Sequence, residues 1–119
     1  MGTYAPNIYR KGLLPLIILL LLKDQDMYGY QMVRELDSRT DGAITTQEGA
    51  LYPVLYVLCK AGYVTERKEM VKERRFRIVY HLEPAGEQYM REQIAEYEKV
   101  ISAMQSLIKQ AKDESDEDE

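Results

Sequence analysis

Arg74, Arg75 and Arg77 crowd into one short stretch of this chain. Guanidinium groups grip phosphate oxygens through paired N–H donors, so the chemistry they offer is anion binding. Upstream stands a second group, Thr45-Thr46-Gln47-Glu48, followed by Tyr52. A glutamine can read adenine, a glutamate can accept from cytosine, and a tyrosine can donate to a phosphate. Plainer readings stand beside each of these. Thr45 and Glu48 have the spacing of a capping box, Tyr52 can pack its ring at a helix edge, and an arginine run can be a solvated strand face. Bond-making chemistry finds less support. Cys59 is the single cysteine and His81 the single histidine. They make neither a disulfide nor the usual structural zinc site. No Ser/His/Asp set, glycine-framed carboxylate pair or phosphate-cradling loop stands out. We therefore expect no catalysis, no cofactor and no metal. Cys59 reads as a small hydrophobe, and His81 as a structural residue or a neighbour of phosphate.

The elements that must position these residues decide between the readings. Thr45 to Gly62 reads as one amphipathic helix, with Leu51, Val54, Leu55 and Leu58 as its buried stripe and Gly62 as its stop. Pro53 is awkward inside it unless the regular helix begins late, near Glu48 or Gly49. A strand over Tyr63–Arg67 follows, then a polar connection Lys68–Glu73, then the alternating run Arg75–Leu82. On that run Phe76, Ile78, Tyr80 and Leu82 face inward, while Arg75, Arg77, Val79 and His81 face outward. A helix followed by a basic two-stranded ribbon is the output half of a winged helix-turn-helix. The expected fold class is mainly α with a small β-wing. In that order of elements, Thr45, Thr46, Gln47 and Glu48 fall in the first turn of a groove-reading helix.

Upstream, residues 1–7 read as a loose arm and Ile8–Lys23 as a first helix, apolar all round over Leu13–Leu22. Ten apolar residues fall short of the ~20 that span a bilayer. The segment reads as a buried helix that a partner chain helps to cover, with Pro15 near its regular start at Leu14. The expected location is the cytoplasm. Tyr28–Arg39 is a second helix with Tyr30, Val33 and Leu36 at three-residue steps and Met32 beside them, ended by the turn Thr40-Asp41-Gly42.

The net charge of −4 over 119 residues conceals a local excess of base. Residues 113–119 hold six of the 20 acids, so the rest of the chain carries 16 bases against 14 acids, or +2. Lys60–Arg77 holds seven bases against three acids, and a phosphate backbone responds to that local field. Pro84 opens a last helix on which Met90, Ile94, Tyr97, Ile101, Met104, Ile108 and Ala111 recur as a heptad seam. Such a seam at the end of a chain asks for a second copy. Leu13 and Ile17 of the first helix join Met90, Ile94, Tyr97, Ile101, Met104 and Ile108 as the expected dimer interface. The chain thus divides into an arm (1–7), a winged-helix domain (8–83), a dimerisation helix (84–112) and a disordered acidic tail (113–119).

Tyr28-Gly29-Tyr30, then Glu48-Gly49-Ala50-Leu51-Tyr52-Pro53-Val54-Leu55, then Leu58, Gly62, Arg74-Arg75 and Tyr80-x-Leu82, resemble PadR-type transcriptional regulators over most of the chain. The resemblance implies a homodimer whose first and last helices pack across a two-fold. It implies a repressor of double-stranded DNA with a palindromic operator, released by a small, often aromatic effector. By position it puts Gln47, Glu48 and Tyr52 in the DNA-reading helix. Arg74, Arg75 and Arg77 fall in the wing, and Tyr28 and Tyr30 near the DNA backbone. Two places depart from the pattern. Glu73 and Arg74 stand where the family's wing usually has glycines, and Glu83-Pro84 replaces the usual threonine cap after Tyr-x-Leu. The chain has no tryptophan, so drug stacking on tryptophan does not carry over, and Tyr89 or Tyr97 would have to serve. A winged-helix protein-interaction module without operator binding is the competing class, favoured by the acidic tail and the overall negative charge.

Overall fold

Pro15 sets where the first described helix begins. The computed structural model describes residues 12–117. The first helix, α1, covers Leu14–Leu22, with the proline in its first turn, where a missing N–H forfeits no helical bond. The expected arm at 1–7, and the start of the helix at Ile8, lie outside the described residues. Seven of the nine residues of α1 are buried. Much of the cover that the sequence assigns to a partner chain comes from the same chain. Later elements of the same chain surround it, and within α1 only Leu20 is exposed, at 41%.

A short strand follows that the sequence pattern does not anticipate. β1, Met27–Tyr28, precedes α2, Gly29–Arg39, and pairs antiparallel with a later strand. Thr40 closes α2, its hydroxyl donating to the Leu36 carbonyl and accepting from the Ile44 N–H. Then come α3 (Glu48–Lys60), β2 (Val64–Lys72), β3 (Arg75–Leu82) and α4 (Pro84–Glu117). The sheet is three-stranded, in the order β1-β3-β2, rather than a two-stranded ribbon. β2 runs to Lys72, through what reads as a polar connection, and the hairpin turns on Glu73 and Arg74 alone.

Two side chains on β3 differ from their expected faces. Phe76 is 57% exposed because the hairpin tip extends beyond the helices, while Val79 is 5% exposed on the opposite face. Val79 sits mid-sheet between Tyr28 and Arg67, whose long side chains flank it. The core joins α1 to Met27, Met32, Leu36, Leu51, Leu55, Leu58, Val64, Tyr80 and Met90. Each large apolar side chain buried this way contributes roughly 1.5–3 kcal/mol. Of the residues at three-residue steps in α2, Leu36 is buried and Tyr30 is 51% exposed.

α4 is anchored at its start only. Met90 is 1% exposed, and Ile94 and Tyr97 pack partly against the core. From Val100 onward the helix leaves the body, and its 34 residues account for roughly 51 Å at 1.5 Å each. The molecule is 68 Å along its longest axis. Ile101, Met104, Leu107 and Ile108 lie on this projecting part, each about half exposed. Met90 and Ile17, expected at a dimer interface, belong instead to the protomer's own core. The helix continues to Glu117, into the segment expected to be disordered. No described helix is long and apolar enough to cross a membrane.

Candidate nucleic-acid interface

α3 begins later than Thr45. Gln47 is its N-cap, extended at φ −117° and ψ 157°, and no side chain caps the helix. The capping box is therefore not formed, because Thr45 lies two residues outside the cap and cannot reach the first-turn N–H groups. Thr45, Gln47 and Glu48 are exposed, and Thr46 is half-buried with its hydroxyl 3.5 Å from the Gln47 carbonyl. The late start does not spare Pro53, which still sits inside the helix and withholds a bond from the Gly49 carbonyl. At the other end Tyr63 N–H donates to Leu58 and Gly62 N–H to Cys59, with Gly62 at φ +81°. This left-handed closure turns the chain directly into β2.

Tyr52 points from α3 back to the start of α2. A methyl group at Gly29 would lie 2.5 Å from the Tyr52 hydroxyl and 2.8 Å from its ring, so only glycine admits this approach. Burial, then the Glu48 carboxylate, push the Tyr52 phenol up from its usual range. One residue before, Tyr28 carries the Arg77 guanidinium 4.3 Å above its ring. Tyr30, beyond Gly29, has Arg34 at 5.9 Å. The start of α2 thus touches α3 through Tyr52 and the wing through Arg77.

Arg77 also lies 3.8 Å from Glu69, so part of its charge is answered within the wing. Arg74 and Arg75 pair with no carboxylate among the described residues. Arg74 occupies the left-handed region at φ 63°, the position where a glycine would fit without strain. Val71 is bulged, since Met70 faces Phe76 and Lys72 already faces Arg75.

His81 is not free for phosphate. Its Nδ1 donates to Asp26 at 2.7 Å and its Nε2 lies 3.8 Å from Glu83. β3 is the central strand, so the exposed His81 side chain has a carboxylate on either side. Asp26 also accepts from Arg67 at 2.6 Å, and Glu83 from the Thr65 hydroxyl at 2.7 Å. The hydrogen bond from His81, aided by Arg67 and opposed by burial, lowers the Asp26 carboxyl below its usual range. The roles of Asp26, Arg67 and Gly29 are not evident from the sequence pattern. Asp26 stands in an unpatterned polar break, but a glycine between two tyrosines at the start of a helix is a readable sign of close approach.

Behind α3, Tyr80 is buried, and burial together with nearby Glu66 pushes its phenol up to about 12. Burial, then Glu66, raises the Cys59 thiol as well. Among the described residues no three His, Cys, Asp or Glu side chains gather as a metal site.

Three helices, a capless helix presenting its first turn, and a hairpin extending past the core define a winged helix-turn-helix, here with a long fourth helix appended. The profile of the transcriptional regulator PadR-like family matches residues 18–92. The chain belongs to that family. It is 31% identical over 68 residues to the transcriptional regulator YqjI of Escherichia coli, a match covering 57% of this chain and 33% of YqjI. The chain thus spans about a third of that relative's length. Among solved structures, a transcriptional regulator from Clostridium thermocellum is similar at TM-score 0.74 and 27% identity, over 81% of this chain and 90% of that one. Bacillus subtilis PadR, solved in complex with operator DNA, shares the fold at TM-score 0.65 and 22% identity, over 69% of this chain and 46% of that one.

Proposed function

We propose that this transcriptional regulator is a homodimeric repressor that reads a palindromic DNA operator and is released by a small effector. Residues 8–83 would be the DNA-binding domain and the helix from Pro84 the dimerisation element. The observation that carries the DNA reading is the contact of α2 with both α3 and the wing. Tyr52 on Gly29 and Arg77 on Tyr28 tie the three expected DNA-facing elements into one surface. Thr45, Gln47 and Glu48 are exposed at one edge, and Arg74 and Arg75 extend with unanswered charge at another. The uncapped N–H groups of α3 add a partial positive charge that favours phosphate. The operator complex of Bacillus subtilis PadR supports the same use of this fold.

Ile94, Tyr97, Ile101, Met104 and Ile108, with Leu13 and the exposed Leu20, are the surface a second copy would cover. Two recognition helices would then sit about one DNA turn apart, ~34 Å.

Substituting Arg74 and Arg75 by Ala tests the wing. Operator affinity should drop, and the log–log salt slope should flatten by ~0.9 for each phosphate that is no longer neutralised. An unchanged slope would remove the wing from the interface. Gln47→Ala should alter base preference more than general affinity, and a uniform loss on all sequences would move Gln47 to the backbone. A chain that retards no fragment of its own upstream DNA at physiological salt would instead be a protein-interaction module.

A further inference from the structure

Between α3 and the base of the wing lies a cavity of about 210 Å³, lined by Tyr52, Tyr56, Cys59, Glu66 and Tyr80. That is the space of roughly seven waters at ~30 Å³ each, enough for a small organic molecule. Aromatic faces carry negative potential and attract cations within ~6 Å of the ring centre. Three tyrosines and one glutamate line it, and Glu66 pairs with no cation among the described residues. The outermost ring already draws an ammonium: Lys60 Nζ stands 5.6 Å from the Tyr56 centroid.

The lining discriminates among ligands. A transition metal would find one carboxylate and one thiol whose raised pKa disfavours the thiolate. An anion would meet Glu66 and three electron-rich rings. A neutral aromatic would bury the Glu66 charge without a partner, which is unfavourable. A small, weakly hydrated organic cation satisfies the carboxylate and the rings together.

We propose that this cavity binds a small organic cation of the quaternary ammonium type, held against Tyr52, Tyr56 and Tyr80 with Glu66 as its counter-ion. The site stands independently of the DNA reading. Its occupant would touch the helix that begins at Glu48 and both wing strands.

Choline and its neutral isostere 3,3-dimethylbutan-1-ol make the test, since they share shape and differ in charge. Calorimetric titration of the full chain at low ionic strength, without DNA, should show choline bound about ten-fold more tightly than the isostere. Glu66→Gln should abolish that preference while leaving the circular dichroism unchanged, because Glu66 is exposed. Choline should also slow alkylation of Cys59, the chain's single thiol, at alkaline pH. Lys60→Ala, which removes the competing ammonium, should strengthen choline binding or leave it unchanged. Equal binding of the two probes, no saturable choline binding at millimolar concentration, a preference that survives Glu66→Gln, or an unprotected Cys59 would each overturn the proposal.

Discussion

At the scale of single residues, Gly29 shows what the absence of a methyl group permits. On an exposed helix, Gly→Ala is favourable by about 1 kcal/mol. Here the new Cβ would lie 2.5 Å from the Tyr52 hydroxyl. Gly29→Ala should therefore lower stability by about 1–3 kcal/mol in chemical denaturation, the usual magnitude of overpacking. Tyr52→Ala opens the space, so the double substitution should lose less than the two single losses combined. Strict additivity would mean that ring and glycine do not touch. Arg74 is the converse case. Its left-handed backbone costs roughly 1–2 kcal/mol relative to glycine. Arg74→Gly should raise the thermal midpoint while reducing the salt slope of operator binding by about one unit. A variant that is both less stable and equally salt-sensitive would contradict the strain and the phosphate role together.

At the scale of elements, the wing is held at its base by a polar network beside the buried Val64, Val79 and Tyr80. Asp26, ahead of β1, receives His81 from β3 and Arg67 from β2. A carboxyl whose folded pKa is depressed adds stability above its unfolded value, about 3.9, and loses it as pH falls through the lower folded value. Asp26→Asn should cost up to about 1 kcal/mol at neutral pH, given the exposure of the pair. The gap between variant and wild type should close as the pH drops below the ordinary carboxylate range. A gap that widened in acid would show that Asp26 is not the stabilising partner. The sequence disclosed the larger elements because their signals are local. Pro15 and Pro84 mark helix starts, Gly62 marks a stop, and Leu51, Leu55 and Leu58 repeat with the helix. It did not disclose β1, since two residues have no period and only pairing with β3 defines them. The start of α3 misleads for a related reason. Thr45-x-x-Glu48 has capping-box spacing, but the extended backbone through Gln47 moves the cap two residues on. Faces at the wing tip depart from simple alternation because alternation assumes a core beneath every residue, and none lies beneath Phe76.

At the scale of the whole molecule, α4 is a helix too long for the body that holds it. Met90 fixes its first turns, yet Val100, Ile101, Met104, Leu107 and Ile108 lie beyond any cover, each 47–59% exposed. Isolated helices shorter than ~12–15 residues are marginal in water, and most helical stability comes from packing an apolar face. The acids that follow Lys112 work against the macrodipole at this end. The projecting seam is the surface on which the proposed dimer rests, and its heptad spacing suits a coiled-coil-like pair. Ile101→Asp with Ile108→Asp places two like charges inside that pair and leaves the protomer core untouched. Sedimentation should then shift from dimer to monomer, and circular dichroism should record a loss of helix beyond residue 100. Met90 and α1 keep their own packing, so the thermal transition of the winged-helix part should persist. Operator affinity should fall toward that of one half-site, because the two α3 helices would no longer be joined. A wild-type protein that sediments as a monomer, or a doubly charged variant that remains dimeric, would detach the seam from assembly. A monomeric variant with undiminished operator affinity would separate assembly from DNA reading.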